Sequence, residues 1–220
     1  MTYKPPTFNP LDYGAISDSL ADFLMKSPLV HFSDVEPFYG GGVYALFYTG
    51  SFPAYHRLAE QNLKEPGSWP IYIGKSSPST RKGIDDLRDA DAPEAGSGLF
   101  KRVCNNHFKS IDNAGNLTTD DFQIRIVILS SIWVPLAESA MISRYSPLWN
   151  SIVDGFGNHD PGSGRAGTKL SVWDRLHPGR PWADKYRKPE DAASVPQITE
   201  KISAYLEDQW QLKFRADCEY

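Results

Sequence analysis

The sequence predicts an α+β fold in which a short three-stranded sheet is flanked by helices, with additional segments at both ends. Three apolar runs, residues 43–48, 70–74 and 122–129, are typical of strands, and segments with helical spacing of apolar residues lie between and after them. Hydrophobic residues make up 40% of the 220 residues and charged residues 23%, so a packed core is expected. This length suits a single domain, residues 1–220, with a core over 40–150.

The chain before the second strand is predicted to contain an arm, a helix, the first strand and a second, short helix. Residues 1–39 form an arm interrupted by prolines and then a helix between Asp12 and Lys26, where apolar side chains recur at helical spacing. Three glycines then precede the first strand. Residues 53–64 favour a short helix, which ends before the second strand begins at Pro70.

The second half of the core alternates helix and strand. A polar excursion over residues 76–96 leads into a helix over 97–111, and the strand over 122–129 follows. Pro135 opens another helix at its first turn, and Pro147 prevents that helix from continuing.

The C-terminal extension, residues 151–220, combines a glycine-rich stretch, a basic segment and a final helix over about 197–212. The net charge of the chain is −4, but residues 161–189 carry seven Lys or Arg against two acids. Such a segment can bind a polyanion locally, because salt confines its field to about 10 Å. An ordinary solvated surface explains the same charges. The seven cations are Arg165, Lys169, Arg175, Arg180, Lys185, Arg187 and Lys188.

The composition argues against two classes of protein. No run of about 18 apolar residues is present, which disfavours a membrane protein. The residues after Met1 lack the apolar stretch of a secretory signal. The two cysteines, Cys104 and Cys218, suit a reducing cytosol. We therefore expect a cytoplasmic protein.

Two tyrosines on the first two strands are candidate site residues. If these strands pair as a hairpin, the period-two alternation of a strand can bring Tyr44 and Tyr72 onto one face of the sheet. The glycines before the first strand allow a close approach of the backbone. The alternative is that both are ordinary strand residues, since the chain has eleven tyrosines.

The helix over 97–111 supplies two further candidates. His107 lies on its buried stripe and is either a core histidine or a catalyst. Arg102 lies towards another face and is either a surface cation or, because of its planar guanidinium, a ligand for phosphate oxygens. Cys104 with His107 as half of a zinc site is disfavoured, because the other cysteine lies near the C-terminus.

Glu138 and Asn150 complete the candidate set. Glu138 has largely apolar neighbours on its helix, where a carboxylate needs a cation or a hydrogen-bond partner. The alternative is that it only stabilises the helix dipole, as an acid in the first turn after Pro135 does. Asn150 follows just beyond this helix.

Taken in order, these motifs resemble the motif set of the GIY-YIG nucleases, and they span residues 42–150. Val replaces the usual Ile in the first triplet. Two later segments, Val153–Asp160 and Trp173–Arg180, resemble the small type II restriction endonucleases of that superfamily. The resemblance implies a mainly antiparallel sheet. The motifs are Gly42-Val43-Tyr44, Tyr72-Ile73-Gly74, Arg102, His107, Glu138 and Asn150.

The sequence departs from the family pattern at two places. Between Tyr44 and Tyr72 lie 27 residues, more than the usual hairpin link. The family's Arg and His are four residues apart, one helical turn, whereas His107 follows Arg102 by five. Either a local bulge displaces Arg102 or His107, or Asn106 fills the position of the histidine.

The resemblance implies hydrolysis of a DNA phosphodiester with one divalent metal ion, Mg²⁺ with Mn²⁺ as a possible substitute. Glu138 would hold the ion, which needs only one or two protein carboxylates. Arg102 would bind a nonbridging phosphate oxygen, Tyr72 would hold the phosphate or the water, and Asn150 would brace the site.

Tyr44 would orient or deprotonate the attacking water, with His107 accepting the proton. An unperturbed phenol is only about one part in a thousand ionised at pH 7. Tyr44 therefore acts as the base only if nearby cations lower its pKa or if His107 takes its proton in concert.

The resemblance also implies a type II restriction endonuclease of a prokaryotic restriction–modification system, acting on double-stranded DNA. Its relatives suggest a GC-rich palindrome such as CCGCGG, and a palindrome is most economically read by a twofold-symmetric homodimer. Lys75 and the seven cations of the basic segment are expected to contact DNA. One alternative is a DNA-binding module with a decayed nuclease core, which the Arg102–His107 spacing favours. Another is a structure-directed repair nuclease.

Overall fold

An antiparallel sheet of four strands organises the protein. In the computed structural model every neighbouring pair of strands is antiparallel, and the spatial order is β1-β4-β2-β3. The strands are β1 (Val30–His31), β2 (Gly42–Tyr48), β3 (Pro70–Ser76) and β4 (Phe122–Ile128). The structure describes residues 12–77, 90–91, 93, 96–158, 169–185 and 192–215.

The predicted α+β class is confirmed, but the prediction of three strands is wrong by one short strand. β1 pairs with β4 at the edge of the sheet, with Val30 opposite Ile124. Two residues are too few to show the alternation that identifies a strand in a sequence. The 27 residues between Tyr44 and Tyr72 include a helix, and β2 and β3 still pair as a hairpin.

The longer helices lie close to the predicted ranges, whereas the short helices Leu148–Ser151 and Val172–Leu176 were not predicted. None of those in the described ranges is both long enough and apolar enough to cross a bilayer. Short 3₁₀ turns cover Phe32–Asp34, Pro53–Tyr55, Thr119–Asp121 and Ala183–Lys185, and a π turn covers Gln211–Arg215. The helices are α1 (Tyr13–Lys26), α2 (His56–Lys64), α3 (Gly98–Phe100), a π-helical segment (Lys101–His107), α4 (Phe108–Asp112), α5 (Val134–Tyr145), α6 (Leu148–Ser151), α7 (Val172–Leu176) and α8 (Val195–Trp210).

The sheet separates two apolar layers, because side chains alternate along each strand. On one face, Val43, Ala45 and Phe47 of β2 pack in a cluster with residues of α1 and α5. On the other face, Tyr44 and Leu46 belong to a larger cluster with the segment after α3, with α6 and with α8. Residues of α8 at helical spacing cover this larger core, and they are Ile198, Ile202 and Leu206.

Candidate active site

The hydroxyl of Tyr44 lies at the centre of a cluster of polar side chains. Tyr44 is buried on β2, and its hydroxyl forms a hydrogen bond with Nε2 of His107. Nε of Arg102 donates to the same hydroxyl over 3.1 Å. Because a guanidinium only donates, the Tyr44 oxygen accepts from Arg102, and the phenol donates to His107 in the tautomer whose Nε2 carries no proton. The ring of Tyr72 lies beside that of Tyr44, with 6.1 Å between centroids.

The register of β2 and β3 places both phenols on one face and explains the glycines beside them. Tyr44 lies opposite Gly74 in the hairpin. A Cβ atom at Gly74 would overlap the Tyr44 hydroxyl, and one at Gly42 would overlap a backbone carbonyl of β4. The two triplets therefore need glycine because a phenol or a neighbouring strand fills the space of a side chain.

The π-helical segment Lys101–His107 accounts for the five-residue spacing of Arg102 and His107. In this segment the N–H of Phe108 donates to the carbonyl of Val103, five residues back rather than four. One turn then contains more residues than an α-helical turn. Side chains five residues apart consequently lie on the same face.

The additional residue of the segment lies on its exposed side. Asn105 and Asn106 are both exposed, whereas His107 is only 1% exposed. The imidazole packs against the two phenols, with centroids 5.4 Å from Tyr44 and 5.5 Å from Tyr72. Of the alternatives that the sequence leaves open, the structure has the local bulge, and Asn106 does not take the position of the histidine.

Burial sets the electrostatics of the cluster. It raises the pKa of Tyr44 well above its usual value, and Tyr72 adds to this shift while Arg102 opposes it. Burial also raises the pKa of Tyr72, again against the effect of Arg102. Burial lowers the pKa of Arg102, but the two phenols outweigh it and the net shift is upwards. In the protein alone, Tyr44 is therefore protonated at neutral pH.

Glu138 lies on α5 and forms an ion pair with Lys75 of β3. Nζ of Lys75 is 2.7 Å from Oε2 of Glu138, whose side chain is 22% exposed. The lysine is the cation that a carboxylate with apolar neighbours needs. The alternative role in the helix dipole is wrong, because α5 begins at Val134 and has no acid in its first turn. Burial is the main cause that raises the pKa of Tyr72, and the charge of Glu138 adds to it, so the carboxylate lies within electrostatic range of the phenols.

Asn150 of α6 braces the outer edge of β3. Its Oδ1 accepts from the N–H of Ile73 and its Nδ2 donates to the carbonyl of Ile73, both over 2.8 Å. β3 is an edge strand, so this side chain satisfies backbone groups that have no neighbouring strand. Ile73 lies between Tyr72 and Gly74, and the amide therefore fixes the strand at the cluster.

The donor set at Glu138 fits a hard cation with few protein ligands. In the ranges that the structure describes, no three His, Cys, Asp or Glu side chains are grouped so that they could hold a metal ion together. Mg²⁺ takes one or two carboxylates and completes its shell with water and phosphate oxygens. A single carboxylate therefore suffices for Mg²⁺ or Mn²⁺, whereas among the described residues no group that could supply the four ligands of a structural zinc site lies around Cys104.

Two of the arginines expected to contact DNA are directed into the protein instead. Arg180 is 2% exposed, and its Nε donates to the carboxylate of Asp174 over 2.7 Å. The prediction that Arg180 contacts DNA is therefore wrong. Arg175 is half-buried and donates to the backbone carbonyls of Ala193 and Leu170. Charge composition does not distinguish such arginines from surface ones.

The other predicted DNA contacts have different positions. Lys169 and Lys185 are exposed, and Lys75 forms the ion pair with Glu138. Three more of the cations, Arg165, Arg187 and Lys188, lie outside the residues that the structure describes.

A loop residue that the sequence analysis does not single out also belongs to the cluster. Phe156 stacks on the imidazole of His107, with ring centroids 4.4 Å apart and planes at 16°. Gly157 follows beside the Tyr72 hydroxyl. In the sequence, Phe156 stands between two glycines and within the segment Val153–Asp160, whose resemblance to the restriction endonucleases does not mark any one of its residues.

The comparison with known families matches this geometry. No curated protein matches the chain. The family model described as the Eco29kI GIY-YIG domain matches residues 36–206, which include the three strands β2, β3 and β4, the cluster around Tyr44 and most of α8. GIY-YIG enzymes are nucleases that depend on divalent metal ions. The chain therefore belongs to the Eco29kI family of GIY-YIG nucleases, which are of the restriction endonuclease type.

Proposed function

We propose that this protein is a type II restriction endonuclease that hydrolyses phosphodiester bonds in double-stranded DNA at a short palindromic site. It would act with Mg²⁺, or Mn²⁺ in its place, in a prokaryotic restriction–modification system. One observation carries the proposal: the Tyr44 hydroxyl is hydrogen-bonded between Arg102 and His107, beside the phenol of Tyr72.

The proposed path of the proton uses this hydrogen bond. The Tyr44 oxygen accepts a proton from the attacking water while its own proton moves to Nε2 of His107. A concerted transfer avoids a free phenolate, which the raised pKa of Tyr44 disfavours. General-base help of this kind contributes about 10²- to 10⁴-fold to a rate.

The remaining residues are assigned to binding and charge. Arg102 binds a nonbridging oxygen as negative charge develops on the phosphate, and Tyr72 holds the phosphate or the water. Glu138 would hold a divalent ion, which would supply stabilisation of charge on the phosphate and the leaving oxygen. Asn150 keeps β3 in place through the backbone of Ile73.

Recognition is assigned to surfaces outside this cluster and to a second copy of the chain. A palindromic sequence, GC-rich by resemblance and such as CCGCGG, is most economically read by a twofold-symmetric homodimer. Among the cations of the basic segment that the structure describes, the exposed Lys169 and Lys185 are assigned to phosphate contacts. The rival function, a binding module with a decayed core, depended on the five-residue spacing of Arg102 and His107. The π-helical segment accounts for that spacing and so favours the nuclease.

Incubation of the purified protein with plasmid DNA and Mg²⁺ tests the proposal. Discrete fragments whose mapped ends share one palindrome are the expected result. A mobility shift without cleavage would instead indicate the binding module, and a smear would indicate a structure-directed nuclease. The Glu138→Ala variant should lose metal-dependent cleavage while DNA binding persists, and normal cleavage by this variant would remove the metal assignment.

A further inference from the structure

The loop after α6 lies at the start of the C-terminal extension, and it forms one wall of the cluster around Tyr44. Phe156 of this loop is 1% exposed, and it touches two residues of the proposed site. Its ring stacks on His107 at 4.4 Å and meets the ring of Tyr72 edge-on, with centroids 4.9 Å apart. Trp149 and Trp173 hold it from other sides, at 4.5 Å and 5.4 Å. The imidazole therefore lies between the Tyr44 hydroxyl and the Phe156 ring.

The backbone of this loop is held by a buried arginine. Arg180 donates to the carbonyls of Phe156 and Asn158, each over 3.2 Å, and to the carbonyl of Gly155 over 2.8 Å. The side chains of Arg180 and Asp174 are both fully buried, and they form an ion pair at 2.7 Å. One guanidinium thus joins three backbone carbonyls of the loop to α7, which carries Asp174.

The next residue of the loop leaves room for the reacting groups. A Cβ atom added at Gly157 would lie 2.8 Å from the Tyr72 hydroxyl oxygen and 3.4 Å from Nη2 of Arg102. The Tyr72 ring is packed against Tyr44, His107 and Phe156, so it has little freedom to move away. Even one methyl group at this position would push against the phenol.

We propose that Phe156 and Arg180 are positioning residues for the cleavage reaction: Phe156 fixes the imidazole of His107 against Tyr44, and Arg180 fixes the loop that carries Phe156. The effect of these two residues on the cleavage rate rests on the proposed nuclease function. The placement of the imidazole is a separate statement that holds whatever the substrate is. The competing explanation is that Phe156 only fills the core.

The test compares Phe156→Leu with Phe122→Leu. Both changes remove a buried aromatic ring, but the ring of Phe122 packs against Tyr48 and Trp149 rather than on the imidazole of His107 as Phe156 does. Four quantities are measured for each variant, and the first three are the single-turnover cleavage rate at saturating Mg²⁺, the Kd for DNA, and Tm. The fourth is the side-chain NMR signal of His107, which is assigned among the five histidines with a His107→Gln variant.

Phe156→Leu should lower the single-turnover rate by about 10- to 100-fold, the scale of a small misplacement of a reacting group, with little change in the Kd for DNA. Its His107 signal should move downfield as the stacked ring is lost, while Phe122→Leu lowers Tm without either effect. Gly157→Ala and Arg180→Lys should reduce the rate in the same way. An unchanged His107 signal and rate in Phe156→Leu, or equal rate losses in both leucine variants, would overturn the inference. If the wild-type protein cuts no DNA, the proposed function fails, and the NMR signal still decides the placement of the imidazole.

Discussion

Arg102 and His107 are separated by five residues, yet both contact one atom, the hydroxyl oxygen of Tyr44. In an α-helix, side chains five residues apart are rotated by about 140° from each other at 3.6 residues per turn, so both could not reach the same phenol. The π-helical segment between them removes this rotation. It behaves as a one-residue insertion whose extra residue lies on the exposed side.

Deletion of one asparagine from this segment should therefore be tolerated. Removal of Asn105 or of Asn106 gives the same protein, in which the arginine and the histidine are four residues apart. An unbroken α-helix then places both side chains on Tyr44. We expect plasmid cleavage to stay within about tenfold of wild type, which is about 1.4 kcal/mol of transition-state stabilisation, with Tm unchanged or raised.

Deletion of Lys109 is the matched control for this experiment. Lys109 is also exposed, but it lies after His107, so the five-residue spacing remains. If the π segment persists after the Lys109 deletion, Ile111 is rotated out of the core. If the segment becomes a regular α-helix instead, His107 is rotated away from Tyr44. Either outcome should reduce both Tm and cleavage. If the asparagine deletion is as damaging as the Lys109 deletion, the segment is not an inserted residue.

Tyr44→Phe should abolish most of the cleavage activity without unfolding the protein. The change removes the oxygen that joins Arg102 to His107 and leaves the aromatic ring in the core. We expect a loss of about 10²- to 10⁴-fold in single-turnover rate. Tyr48→Phe is the control, since it removes another buried hydroxyl on the same face of β2, one that accepts from the N–H of Phe52 over 2.8 Å. A similar rate for the two variants would contradict the role of Tyr44.

The hairpin and its two phenols could be predicted because alternation along a strand is visible in the residues themselves. The need of Glu138 for a cation could also be predicted, because its neighbours on the helix are largely apolar, and Lys75 is that cation. The π-helical segment has no comparable signal, because an altered hydrogen-bond step leaves no mark in the composition. The burial of Arg180 was also beyond prediction from charge. A buried arginine and a surface arginine differ only in the partners that the fold brings to them, here Asp174 and the loop carbonyls.

The stability of the protein should fall in acid through His177. Burial lowers the pKa of this imidazole to about 3, and the charge of Arg180 adds to the shift. Its neutral form is satisfied on both nitrogens, with the Tyr55 hydroxyl at 2.6 Å from Nε2 and Oδ1 of Asn116 at 2.8 Å from Nδ1. Because the folded pKa is below the unfolded one, near 6.5, the stabilisation is complete above pH 6.5 and is lost as the pH falls towards 3.

Urea denaturation at pH 7 and pH 5 measures this effect. His177 alone should reduce the free energy of unfolding by about 2 kcal/mol between these pH values. His177→Gln should be less stable than wild type at pH 7 but should lose less on acidification. An equal loss between pH 7 and pH 5 in both proteins would show that His177 does not titrate in this way.

Lys75→Met should strengthen the binding of a divalent ion at Glu138. The ammonium group of Lys75 lies 2.7 Å from the carboxylate and opposes a second cation there. Because the pair is partly exposed, the gain is limited to about 1 kcal/mol, or about fivefold in the Kd for Mn²⁺. Calorimetry without DNA measures it. Arg144→Met, which removes an ion pair with Asp22, should leave the Kd unchanged, and weaker binding in Lys75→Met would contradict the site.

Salt dependence should separate the cations that contact DNA from those that support the fold. Lys169 and Lys185 are exposed, so each alanine variant should reduce the slope of log K against log salt concentration by about 1. Arg175 donates to the carbonyls of Ala193 and Leu170, so Arg175→Ala should lower Tm and leave the slope unchanged. Fluorescence anisotropy with a labelled duplex between 50 and 200 mM salt measures the slope for each of the three variants. Each slope is fitted over about a fourfold range of salt concentration. A reduced slope for Arg175→Ala with an unchanged Tm would indicate that Arg175 contacts DNA.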